Sequence, residues 1–178
     1  MPFNPARFHK SFIEVMSQDP SVFLKTDGSL FGQLKTPKKK AEFIKDLIQE
    51  LMAVVPTNKA NLIMQDCGKQ CIGSSLLKKA RTLFRESQDM DDFMIKLNEQ
   101  HIGGGRLYLQ DNVIQAGYDR CYCGSVSAGK ERMPLTYCYC STGWYKRLFE
   151  EVLSRPVQVE ILQSIINGAD TCRFLIHI

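Results

Sequence analysis

The hydrophobic period changes once along this chain of 178 residues, and that change limits the fold more than any other feature. In the first 102 residues apolar side chains recur at helical spacing. Behind Thr36-Pro37, a pairing that suits an N-cap and a first-turn proline, Phe43, Ile44, Leu47, Ile48, Leu51 and Val55 form one stripe that Pro56 ends. A second helical segment is expected from about Lys59 to Arg85, with Ile63, Cys67 and Cys71 on one side and Gly68 and Gly73 loosening it. A third runs from Asp89 to His101, with Met90, Phe93, Met94, Leu97 and His101 on a single stripe, and Gly103-Gly104-Gly105 stops it as a connector. From Arg106 the period becomes two. Leu107 and Leu109 alternate with polar neighbours, Asp111-Asn112 turns, and Val113 to Cys123 reads as the return strand. Helical spacing reappears from Gly143 to Leu153 through Trp144, Tyr145, Leu148, Phe149 and Val152. A second hairpin follows, with Val157, Val159 and Ile161 on one arm and Cys172, Phe174, Ile176 and Ile178 on the other, around Asn167-Gly168-Ala169-Asp170. The expectation is an α+β fold: a helical N-terminal half packed on an antiparallel sheet of two hairpins with one inserted helix. Residues 1–178 read as a single domain, mainly helical over 1–102 and hairpin–helix–hairpin over 103–178.

A chain of this size buries most of its apolar surface without covalent staples. Its seven cysteines are an odd number in a chain longer than most disulfide scaffolds, which points to a reducing, cytoplasmic setting. Met1 to Met16 lacks the unbroken apolar core of a signal peptide, because His9, Lys10, Ser11 and Glu14 interrupt it. No apolar run reaches the roughly 20 residues that span a bilayer. The net charge is +4, and its basic runs, Lys38-Lys39-Lys40 and Lys78-Lys79 with Arg81, fall in helical patterns as solvated faces, so nucleic acid is not an expected partner.

Six of the seven cysteines fall in close pairs: Cys67 with Cys71, Cys121 with Cys123, and Cys138 with Cys140. Deprotonated thiols hold zinc and iron–sulfur clusters, with zinc–sulfur distances of about 2.3 Å around a tetrahedral ion. On an extended strand Cys121 and Cys123 point to one face and make a two-ligand arm; Cys138 and Cys140 make the other. Cys67 and Cys71 present two sulfurs from one helix face and complete or replace an arm. The Cys-Tyr-Cys spacing is shorter than the usual zinc arm of two to four intervening residues. Buried free thiols also serve as small hydrophobes, the reading preferred for Cys172 beside Phe174 and Ile176. A third reading is thiol chemistry, with Arg120 as electrostatic helper to Cys121 and His101 as a base, although His101 on its apolar stripe reads as structural.

The stretch Tyr137-Cys138-Tyr139-Cys140-Ser141-Thr142-Gly143-Trp144, the helix after it, and Gly168-Ala169-Asp170-Thr171-Cys172-Arg173-Phe174-Leu175-Ile176 resemble the C-terminal part of 4-vinyl reductase-type domains, which bind small ligands. The resemblance covers Arg106 to Ile178. The chain is also similar to L-2-amino-thiazoline-4-carboxylate hydrolase-like proteins. The first resemblance implies helices on an antiparallel sheet, a homodimer, and kinship with haem-based nitric-oxide sensors and vesicle-tethering subunits. His9, His101 and His177 match no haem-ligand context, so the haem branch is disfavoured.

These readings combine into a cytoplasmic small-ligand-binding or sensor domain with a cysteine-ligated metal, zinc ahead of an iron–sulfur cluster. Phe93, Met94, Tyr118, Tyr122, Tyr139 and Trp144 are candidates to line a pocket for a small apolar molecule. The alternatives are a cysteine-dependent hydrolase or thiol enzyme acting on a small cyclic or sulfur-containing amide, and a structural interaction domain with buried cysteines.

Overall fold

A computed structural model describes residues 3–127 and 132–178; Met1 and Pro2, where the stretch read for a signal peptide begins, lie outside them. Five helices come first: α1 (Pro5–Met16), α2 (Pro37–Val54), α3 (Thr57–Lys69), α4 (Ser74–Arg85) and α5 (Met90–Glu99). Then follow β1 (Tyr108–Gln110), β2 (Val113–Tyr118), a single turn α6 (Gly124–Ser127), the long helix α7 (Leu135–Leu153), β3 (Gln158–Gln163) and β4 (Cys172–His177). The expected α+β class and the two hairpins with a helix between them are present.

Local signals explain three of the helix starts. Asn4 Oδ1 accepts the Ala6 N–H at 2.9 Å with Pro5 in the first turn, Thr36 does the same for Lys39 at 3.2 Å ahead of Pro37, and Asp89 caps α5 through Asp92 N–H at 2.9 Å. Each such cap is worth about 1 kcal/mol. The sheet is fully antiparallel in the order β1-β2-β4-β3, so the two hairpins join through β2 and β4. Asp111 and Asn112 both take positive φ (50° and 62°), the conformation a two-residue hairpin turn needs. Ile114 and Ala116 of β2 and Cys172, Phe174 and Ile176 of β4 share the buried face, as their alternation requires.

Four expectations are corrected. The segment from Lys59 to Arg85 is two helices, because the chain breaks after Lys69 and restarts with Gly73 at the N-cap of α4. Cys71 therefore sits in the turn between them and does not continue the face of Cys67. The return strand stops at Tyr118, paired with Cys172, so Cys121 and Cys123 lie in the loop beyond it rather than on a strand. The last helix begins at Leu135, eight residues before Gly143, and this places both Cys138 and Cys140 on α7. His101 lies past the end of α5, exposed and with φ of 51°, and not on that helix's buried stripe.

α7 is the axis of the molecule. Tyr137 and Cys138 near its start pack with Phe3, Phe8, Phe12, Ile44, Ile63 and Met64 in one core, while Tyr145, Leu148, Phe149 and Val152 pack with Phe93, Ile114, Phe174 and Ile176 in a second. Its closest partner is α3, and Arg81 of α4 reaches Glu151 at 2.7 Å. None of the described helices is long and apolar enough to cross a membrane.

Candidate functional site

All seven cysteines line one pocket of about 270 Å³, where the two cores meet along α7. Cys67 comes from α3, Cys71 from the turn after it, Cys121 and Cys123 from the loop after β2, Cys138 and Cys140 from α7, and Cys172 from β4. All are free thiols. Cys172, expected only as core packing, is buried and also faces this pocket. The three sequence pairs are thus one cluster drawn from four parts of the chain.

Several sulfurs have defined partners. Cys123 Sγ and Tyr137 Oη share a hydrogen bond at 2.6 Å, and Cys138 Sγ and Ser164 Oγ share one at 2.8 Å. The Ile165 N–H donates to Cys172 Sγ at 3.4 Å. The Arg7 guanidinium, from α1, donates to Cys71 Sγ at 2.8 Å. Arg120, the helper expected for Cys121, instead lies over the Tyr122 ring at 5.2 Å.

Burial is the main influence on these thiols, and it disfavours the charged form. It pushes Cys67 and Cys138 from an ordinary 9.0 up to about 12 and Cys121 up to about 11. Cys123, Cys140 and Cys172 are raised by the same cause. Like-charge repulsion adds to it. Cys140 feels Cys123, Cys138, Cys67 and Cys71, while Cys67 is held down in part by the Arg7 guanidinium and pushed up by Cys71, Asp66 and Cys123. Those six thiols are therefore protonated at neutral pH.

Such shifts set a stability profile. A thiol raised in the folded state favours folding at pH values below its unfolded value, and this contribution is lost as pH climbs toward the folded value. For Cys67 and Cys138 the window opens near 9 and closes near 12. Each is expected to cost about 1.4 kcal/mol of stability per pH unit within it. Urea midpoints at pH 8, 9 and 10 should fall in the wild type and fall less in Cys67→Ala/Cys138→Ala; equal slopes in the two proteins would contradict this picture.

Of the expected pocket residues, Tyr118, Tyr122 and Trp144 line the cavity. Tyr118 stacks on Tyr145 at 5.7 Å, and Tyr145 Oη donates to the Gly103 carbonyl at 2.9 Å. Gly103 and Gly104, both at positive φ, connect α5 to β1 and bring bare backbone to the wall. Phe93 (0% exposed) and Met94 (2%) are core residues of α5, and Tyr139, packed against the first core, is not among the lining residues. Sequence reasoning missed Phe3, Arg7, Tyr137 and Ser164. Asn4-Pro5 followed by Phe8 and Phe12 carried the signal for α1, but Arg7 meets Cys71 across 64 residues and no local pattern announces that.

Among the described residues no three Cys, His, Asp or Glu side chains stand together as a metal-holding group. One reason is geometric: residues two apart on a helix project about 200° apart, so Cys138 and Cys140 do not form the paired arm that an extended backbone would have given.

The chain belongs to the family of unknown function DUF6144, which matches residues 22–178. Phe3, Asn4 and Arg7 of the pocket wall precede the matched stretch. No curated protein and no solved structure shows a significant match.

Proposed function

We propose that this family member is a small-ligand-binding or sensor domain whose pocket holds a soft metal ion on the thiolates of Cys67, Cys123 and Cys140. Zinc is placed ahead of an iron–sulfur cluster, the fourth position is left to water, and the apolar wall is left to a small apolar molecule. The observation that carries the reading is the convergence of all seven cysteines on one cavity. Closed structural zinc sites use four protein ligands, whereas sites that take a ligand keep three and leave one position open. Cys67, Cys123 and Cys140 line the same cavity, and a dication among their thiolates would turn mutual repulsion into attraction. Cys138 lies about 200° around α7 from Cys140, and therefore stays outside the set.

The apolar wall and the resemblance to 4-vinyl reductase-type domains support the small-molecule part of the reading. A cavity below the roughly 300–1,000 Å³ of drug-sized sites suits a small occupant. A homodimer and a cytoplasmic setting belong to the same proposal, since protonated free thiols persist where the surroundings are reducing.

Cys140→Ser is expected to weaken zinc binding at least about tenfold, while Cys172→Ser leaves it within a factor of about two, each judged against unchanged circular dichroism. Equal zinc affinity in Cys140→Ser and wild type would remove the assignment. Acid-labile sulfide with iron and a visible absorption band in protein isolated without oxygen would move the site to a cluster.

A cysteine-dependent enzyme acting on a small cyclic or sulfur-containing amide is the second reading, and the Arg7–Cys71 contact is what favours it.

A further inference from the structure

We infer that Cys71 is the reactive thiol of this pocket and that it captures small conjugated electrophiles, α,β-unsaturated carbonyl compounds with an apolar body, as covalent thioether adducts. The inference is independent of the metal site, which does not use Cys71.

Three observations carry it. Arg7 Nη1 lies 2.8 Å from Cys71 Sγ, so negative charge forming on that sulfur has a cation at hydrogen-bond distance. The sulfurs of Cys123, Cys138 and Cys172 hydrogen-bond to neutral partners, Tyr137, Ser164 and the Ile165 amide in turn. Cys71 is half-buried in a turn, as Cys121 and Cys123 are in their loop, and the Arg7 contact is what sets it apart from them. An electrophile reaching it enters a wall that includes Phe3, Leu76 and Trp144, which suits an apolar body.

The chemistry is self-contained. The Cys71 sulfur attacks the β-carbon and the carbon–sulfur bond forms. The pair of electrons from the carbon–carbon π bond moves onto the α-carbon and carbonyl oxygen, and the proton given up by the thiol reaches the α-carbon through water. Nothing leaves, and no oxidant or reductant is consumed. A soft sulfur and a soft conjugated carbon match in this step, whereas a hard carbonyl centre would ask for a general base as well.

The test uses the full chain, freed of metal with a chelator, and N-ethylmaleimide as the conjugated electrophile below one equivalent, with the labelled cysteine located by peptide mass mapping. Cys71 is expected to react first, about tenfold or more ahead of any other cysteine. Arg7→Gln should slow labelling at Cys71 about tenfold, and Arg7→Lys should restore most of the rate, because a cation returns to the same place. Melting temperatures of both variants check that the fold is intact, and if Arg7→Gln fails to fold, the Arg7→Lys rate alone is compared with wild type. Another cysteine reacting first, or an Arg7→Gln rate equal to wild type, would overturn the inference. Zinc binding measured on the same wild-type chain separates the two proposals: a protein that labels first at Cys71 but binds no zinc overturns the metal site alone, and one that binds zinc but labels elsewhere overturns this inference alone.

Discussion

Gly143→Ala is expected to destabilise the fold by about 3 kcal/mol or more, against a total stability of roughly 5–15 kcal/mol for a domain of this kind. A Cβ on Gly143 would overlap the backbone carbonyl of Gln65 in α3, and one on Gly68 would overlap the backbone carbonyl of Cys140 in α7. The two glycines interlock the helices where they cross. Backbone cannot rotate out of the way as a side chain does, so the helices themselves must separate. Helix propensity alone argues the other way, since alanine is preferred to glycine inside a helix by about 0.5–1 kcal/mol. The sign of the measured change therefore decides which effect governs. Gly32→Ala is the control: its Cβ meets nothing within contact distance, and the change should stay within about 0.5 kcal/mol. Urea denaturation of the three proteins reads the result, and a stabilised Gly143→Ala would show that α3 and α7 do not touch as described. The crossing also shapes the site, because Cys67 precedes Gly68 and Cys140 comes three residues before Gly143. Pushing the helices apart would move thiols of the same pocket away from each other.

The parts of the fold governed by local pattern could be read in advance. The stripe of α2, the Asp111-Asn112 turn and the alternation of β4 each depend on neighbours a few residues away. The first half of α7 could not be read so simply. Cys138, Thr142, Tyr145, Phe149 and Val152 are all buried at helical spacing, yet cysteine and threonine at the first two places do not announce an apolar stripe, and the Tyr-Cys-Tyr-Cys run favours a strand by propensity. Packing against α3 and the sheet overrides that preference. The same mistake gave the cysteines the wrong local geometry. Clustering of the cysteines was visible as pairs in sequence, but their meeting in one pocket depends on how α3, α7, β4 and the loop after β2 assemble. Arg7 shows the limit most clearly: its position on α1 was accessible from Asn4-Pro5, whereas its contact with Cys71 is a product of tertiary folding.

Zinc uptake is expected to be steeply pH-dependent, and this follows from the state of the thiols rather than from the metal. Burial, reinforced by mutual repulsion, holds Cys67 near 12 and raises Cys123 and Cys140 as well, so all three carry protons at neutral pH. Thiolate is the form that binds zinc, and each ligand must lose its proton to do so. The sign is therefore fixed: affinity rises with pH below these thiol values and falls as the solution is acidified. With three thiols displaced, the apparent association constant should change by about a thousandfold per pH unit. Competition with a chelator of known affinity at pH 6.5 and 7.5 would reveal that slope, and a change of tenfold or less would mean that a single thiol is involved.

The most direct test of the proposed metal site is to add zinc to weakly buffered, metal-free protein at neutral pH and count the protons released per ion bound. About three protons with one zinc per chain is the predicted result, because three buried neutral thiols become thiolates on a single ion. Binding that releases no more than one proton, or no binding at all, would contradict the central claim.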